Sequence, residues 1–111
     1  MLPGINRLKS DEDFKNVFKN GKKSENQFFR IKFLKNQKNL SRFGFIISTK
    51  LLKKATVRNI LKRRLRMICR HLLKDLKCKF DVVIWPKTNS ISLNYKDLTN
   101  YLRELILAKE N

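Results

Sequence analysis

The spacing of apolar residues along the chain switches between helical and strand periods, and each switch marks an element. Met1 to Lys9 carries Pro3 and Gly4 and predicts a loose, basic lead-in. Ser10-Asp11-Glu12-Asp13 reads as a helix start. Ser10 can cap a free backbone N–H, Asp13 falls at the third helical position as in a capping box, and the acids sit at the positive helix end. Phe14, Val17 and Phe18 follow at i, i+3 and i+4 and share one face. Gly21 suits the stop.

Phe28 to Leu34 alternates, with Phe29, Ile31 and Phe33 on one side and Phe28, Arg30, Lys32 and Leu34 on the other. A polar turn, Asn36-Gln37-Lys38-Asn39, leads to Arg42–Ser48, a second strand with Phe43, Phe45 and Ile47 on one face. The two strands are expected to pair as an antiparallel hairpin. Lys50 to Lys54 is a basic connection, followed by a long helix from about Ala55 to about Lys74. In that helix Val57, Leu61, Leu65, Ile68 and Leu72 fall in one narrow stripe. Arg58, Lys62, Arg66 and Arg70 form a second stripe, with Asn59 and Arg63 on the same half. Phe80 to Trp85 is nearly continuous apolar, which suits a central strand covered on both faces, and Pro86 ends it. Asn94 or Ser92 caps a last helix with Leu98, Leu102, Leu105 and Ile106 inward. The order helix, strand, strand, helix, strand, helix predicts an α+β fold, a sheet packed with helices. Residues 1–111 form a single domain without repeat, low-complexity tract or linker.

Charge adds a partner. The 111 residues hold 27 Lys plus Arg against 9 Asp plus Glu, a formal net charge of +18. Such a charge self-repels, so the compact state tolerates it rather than gains from it. An array of phosphates is the usual counterpart, against a merely solvated surface. An apolar fraction of 41% with eight Phe argues for a real core rather than a disordered tail. Cys69 and Cys78 form neither a disulfide framework nor a zinc site of usual spacing. No long apolar run or signal-like segment is present, so a reducing, cytoplasmic setting without a membrane is expected.

Catalytic groups are scarce. The acids at Asp11–Asp13 are accounted for as a helix start, Asp81 and Asp97 are isolated in sequence, and His71 lies in a basic helix as an ordinary surface or boundary residue. Three glycines offer no phosphate loop. Cys69, in a cationic helix, is a candidate for a lowered pKa but more simply an inert thiol. Binding chemistry is richer. Arg58, Lys62, Arg63, Arg66 and Arg70 can fork phosphates, and Asn59 can read a base edge or ribose hydroxyl. Phe14 and Phe18, with Arg30 and Lys32 on a strand, can hold a single strand by stacking plus charge. The two rings equally suit a core, and one ring can serve both purposes.

The segment Arg42-Phe-Gly-Phe-Ile-Ile-Ser48, then Thr-Lys-Leu-Leu-Lys-Lys-Ala-Thr-Val, then Arg58-Asn59-Ile-Leu-Lys62-Arg63-Arg64-Leu-Arg66, strongly resembles the protein component of bacterial ribonuclease P. Ser10 to Gly21, Asp81 to Pro86 and the helix from Tyr95 are similar to that family in the same order. The resemblance implies a ribosomal-protein-S5-domain-2-like fold with a left-handed βαβ crossover, which handedness rules would not have predicted. It implies a protein subunit, inactive alone, that joins a catalytic RNA to cut the 5′ leader from precursor tRNA, with Mg²⁺ held mainly by the RNA. Phe14 and Phe18 match aromatic positions of the leader cleft, beside Arg30 and Lys32. Lys50, Lys53, Lys54, Arg58, Asn59, Lys62, Arg63, Arg66 and, farther along the same face, Arg70 are the residues expected to meet the catalytic RNA. The free protein is expected to be monomeric. Three positions depart from the pattern: Ile60 replaces a motif arginine whose contact is lost or supplied by Arg64, Thr49 replaces a usual lysine, and Lys32 lies about where some members carry a ring. A small ribosomal-type RNA-binding protein is the alternative, and a basic DNA-binding module the third.

Overall fold

The computed structural model describes residues 2–36, 38, 40–49, 53–76 and 79–108. In chain order it contains α1 (Asp11–Asn20), β1 (Lys22–Glu25), β2 (Phe29–Lys35), β3 (Arg42–Phe45), α2 (Ala55–Leu72), β4 (Phe80–Pro86) and α3 (Tyr95–Leu107). Short 3-10 turns lie at Gly4–Asn6 and Thr88–Ser92. The α+β class and the predicted helices are all present.

The strand order is β1-β2-β4-β3, which overturns the hairpin expected between β2 and β3. β4 lies between them, antiparallel to β2 and parallel to β3. The cause is burial. Phe80, Val82 and Ile84 of β4 enter one core while Val83 and Trp85 enter the other. A strand apolar on both sides gains most from a doubly covered centre. β2, with Arg30 and Lys32 on one face, does not. The polar segment after β2 therefore crosses the end of β4 instead of turning back. Asn36 anchors it: its N–H donates to the Lys79 carbonyl at 3.0 Å, and its Nδ2 donates to the Leu40 carbonyl at 3.3 Å and to Asp81 Oδ1 at 2.8 Å.

β1 is the strand that periodicity did not predict. Lys22-Lys23-Ser24-Glu25 has no apolar alternation because it is an edge strand, held by antiparallel pairing to β2. Its lysines also discourage edge-to-edge association. Gly21 joins it to α1, donating its N–H to the Val17 carbonyl at 2.8 Å. Its φ of −81° is not left-handed. Space is what requires glycine there, since a Cβ would lie 2.5 Å from the Val17 carbonyl oxygen and 2.9 Å from that of Phe33.

Residues 2–8 are not a loose lead-in. Leu2 and Leu8 are buried, Asn6 Nδ2 donates to the Ser41 carbonyl at 2.8 Å, and the Leu8 N–H donates to the Phe43 carbonyl at 2.9 Å. Arg7 forms an isolated parallel bridge with Phe43, so this segment covers the outer edge of β3. Two leucines too far apart to show a period were enough to pin it.

Ser10 Oγ accepts the Asp13 N–H at 3.2 Å, as predicted. The Asp13 carboxylate, however, does not complete a capping box. It takes Arg42 Nη1 at 3.1 Å, while Arg42 Nη2 and Nε reach the two oxygens of Asp81 at 2.7 and 2.9 Å. Asp13 and Asp81, distant in sequence, thus share one arginine that ties α1 to β3 and β4. Hydrogen bonding to Asp81 raises the Arg42 pKa, against the opposing effect of burial.

The sheet has two unequal faces. On one, Phe29, Ile31, Phe43, Val82 and Ile84 pack under Leu61, Leu65, Ile68 and Leu72 of α2 and Leu98, Leu102, Leu105 and Ile106 of α3. Each such side chain contributes about 1.5–3 kcal/mol by leaving water. On the other, Leu8, Val17 and Val83 form a small core, flanked by half-buried Phe14, Leu34, Ile46 and Trp85. Asn94 settles the α3 cap by accepting the Asp97 N–H at 2.8 Å. Cys69 is buried among the apolar stripe of α2, and burial pushes its thiol well above the ordinary range, the reverse of what a cationic helix suggests. His71 is exposed.

Candidate nucleic-acid interface

The less covered sheet face forms a cleft with α1. The pleat puts Arg30 and Lys32 of β2, Val83 and Trp85 of β4, and Gly44 of β3 on one side. Arg30 is registered opposite Trp85, and Lys32, Val83 and Gly44 form the next row. The wall is α1, whose i, i+4 spacing aligns Phe14 and Phe18 with ring centroids 6.2 Å apart. Phe18 in turn lies 5.5 Å from Trp85, tilted by 32°. Three rings therefore run in series from helix to sheet. Lys32 Nζ donates to the Phe18 carbonyl at 2.5 Å and stands 6.0 Å from the Phe18 ring centroid, which fixes a cation at the cleft. Arg30 is exposed, 3.9 Å from Glu25, whose carboxyl is held below the usual range chiefly by its hydrogen bond to Lys87.

The two rings differ in burial. Phe14 is half-buried against the small core, whereas Phe18 is 36% exposed. Gly44 allows the Phe14 position: a Cβ there would lie 2.6 Å from that ring.

The second surface is α2. Its apolar stripe faces the large core, which leaves Asn59, Arg63 and Arg70 exposed and Arg58, Lys62 and Arg66 half-exposed. Arg58 donates Nη1 to the Lys53 carbonyl at 3.0 Å, bracing the exposed connection of Lys53 and Lys54 onto the helix start. Lys50 lies outside the described residues. Lys62 and Arg66 reach round the β3 edge. With Arg7, Lys9, Phe14 and Gly44 they line a hollow of about 280 Å³. Ile60 is 46% exposed, and Arg64, one turn on, borders the same shallow hollow, so a positive charge is available beside it.

Phe14, Phe18 and Lys32 are thus brought together, Arg30 lies one row away, and Lys62 and Arg66 meet Phe14 at the sheet edge. Sequence reasoning missed Trp85 as a site residue. The signal was its parity on β4, opposite to Phe80, Val82 and Ile84. It also missed Arg7 and Lys9, which nothing in their sequence neighbourhood distinguishes from a basic tail. Among the described residues no group of three or more His, Cys, Asp or Glu side chains is placed to hold a metal ion. No described helix is long and apolar enough to cross a membrane.

Comparison with known proteins identifies the family of the chain. The Ribonuclease P family model matches residues 2–109. The ribonuclease P protein component of Synechocystis sp. is 41% identical over 105 residues, spanning 94% of this chain and 82% of that protein. The corresponding protein of Thermoanaerobacter sp. is 31% identical over 93% of this chain and 88% of its own length. Among solved structures, the ribonuclease P protein of Thermotoga maritima superposes with a TM-score of 0.85 at 32% identity, covering 95% of this chain and 98% of that one. The Staphylococcus aureus protein, at 24% identity and a TM-score of 0.81, shares the fold. With the match running through α1, the cleft strands and the whole of α2, this chain belongs to the ribonuclease P protein family.

Proposed function

We propose that the chain is the protein subunit of the ribonucleoprotein endonuclease that removes the 5′ leader from precursor tRNA, and that it binds both the catalytic RNA and the single-stranded leader. The observation that carries the leader assignment is the run Phe14–Phe18–Trp85 with Lys32 fixed beside it. Rings in series accept unstacked bases, and flanking cations follow the backbone. Single strands present such bases, whereas a duplex hides them. Lys53, Lys54, Arg58, Asn59, Lys62, Arg63, Arg66 and Arg70, together with Lys50, face the catalytic RNA in this reading. The bond cleavage belongs to that RNA and its Mg²⁺. The free protein is a cytoplasmic monomer, consistent with a net charge of +18 that opposes self-association.

Reconstitution tests this. The purified protein alone should cut nothing, and adding it to its catalytic RNA at low Mg²⁺ should restore 5′ processing of a leader-bearing precursor. A protein that neither binds that RNA nor alters cleavage overturns the proposal. Equal binding of precursors with and without a leader points instead to a structural, ribosomal-type RNA binder.

A further inference from the structure

We infer that Arg7 and Lys9 complete, with Lys62 and Arg66, a phosphate-binding hollow at the β3 edge that grips RNA backbone between the aromatic cleft and α2. The inference rests on the function proposed above and adds to it a site and two residues from the N-terminal segment. The hollow measures about 280 Å³, and its lining contains these four cations and no carboxylate. That is room for a phosphate with several waters, at ~30 Å³ per water. Among the described residues, Arg66 Nε is buried without a hydrogen-bond partner. A buried donor left unsatisfied is costly, and a phosphate oxygen is its natural acceptor. Arg7 is held in place by donating Nε to the Leu2 carbonyl at 3.1 Å, so its guanidinium is presented rather than free to swing away. Burial, and then the positive charge of Arg7, hold the Arg66 pKa below its usual value, and both guanidinium groups line the same hollow. An anion between them relieves that repulsion.

Continuity with the cleft decides what kind of anion. Phe14 lines the hollow on one side and meets Phe18 on the other. Gly44 forms the floor, where a Cβ would strike the Phe14 ring at 2.6 Å and stand 3.2 Å from Leu8 Cβ. Stacking surface and cationic hollow are therefore one tract, which fits a nucleic-acid strand better than a free ion. The phosphate can come from the leader strand or from the catalytic RNA, and the chemistry is the same for both.

The test is RNA affinity across a salt series for wild type, Lys9→Ala and Arg7→Met, with leader-bearing precursor, leaderless tRNA and catalytic RNA as three separate ligands. Lys9 is exposed, so its truncation leaves the fold intact, while the methionine keeps the packing of the half-buried Arg7 stem. Each variant should lose about tenfold in affinity and flatten the log K against log salt slope by roughly one. A loss confined to the leader-bearing precursor assigns the phosphate to the substrate, and a loss confined to catalytic RNA assigns it there. Unchanged affinity and slope for Lys9→Ala on every RNA, while Phe18→Ala still weakens leader binding, overturns the hollow and leaves the proposed function standing. Failure of the wild type to bind any of the three overturns both.

Discussion

The two faces of this sheet are built from the same strands and differ in how they are held. The face under α2 and α3 is closed by aliphatic packing, with Leu65, Leu98 and Leu102 fully buried. The face under α1 has a small core, and its helix is tied down by a polar fork in which Arg42 joins Asp13 on α1 to buried Asp81 on β4. Had α1 been fixed by burial alone, Phe18 and Trp85 would have been consumed in the packing. Anchoring the helix through charge leaves apolar rings accessible where a ligand can use them. The lesson is that the face with less hydrophobic closure is the one that leaves aromatic rings partly exposed, beside a polar network that holds its helix.

This contrast can be broken at three points. Asp81→Ala should have the largest effect, about 3 kcal/mol of unfolding free energy in urea, because it removes the buried partner of Arg42 and leaves that largely buried guanidinium only its longer contacts to Asp13. A loss below about 1 kcal/mol would mean that α1 is held by its apolar contacts after all. Phe18→Ala should be smaller and of another kind: about 1–3 kcal/mol in affinity for a leader-bearing precursor. Its cost in stability should be less than that of truncating a fully buried leucine such as Leu65, which is about 2–5 kcal/mol. A Phe18 variant that loses stability without losing leader affinity would reassign the ring to the core. Ser10→Ala should be smallest, about 1 kcal/mol in thermal or urea unfolding, from loss of the hydrogen bond to the Asp13 N–H.

Much of the site was legible because helical periodicity is local. Ser10, the pair Phe14 and Phe18, and the two stripes of α2 could be read from spacing alone, and all appear where that spacing puts them. Trp85 was read correctly as part of a central strand, but its partner Phe18 lies far away in sequence, so their stacking had no local signature. β1 was invisible because an exposed edge strand has no apolar face to alternate. The lead-in was misread because its anchoring residues, Leu2, Asn6 and Leu8, are separated by exposed Pro3, Gly4 and Ile5 and by the charged Arg7. The hairpin between β2 and β3 failed for a different reason. Proximity in sequence favours it through loop closure, but the gain from burying both sides of β4 is larger.

The sequence by itself determined the α+β class, the helices with their inward and outward faces, the cationic character of the outer face of α2 and the kinship with ribonuclease P proteins. Each of these depends on residues within a few turns of one another or on order along the chain. Only the tertiary structure decided that β4 separates β2 from β3, that Asp13 and Asp81 share Arg42, that Trp85 extends the aromatic run, and that Arg7 and Lys9 meet Lys62 and Arg66. All four are contacts across the sheet or round its edge. Such contacts follow from the whole chain's competition to bury apolar surface and to pair charges such as Arg42 with Asp13 and Asp81, and no local pattern records the outcome.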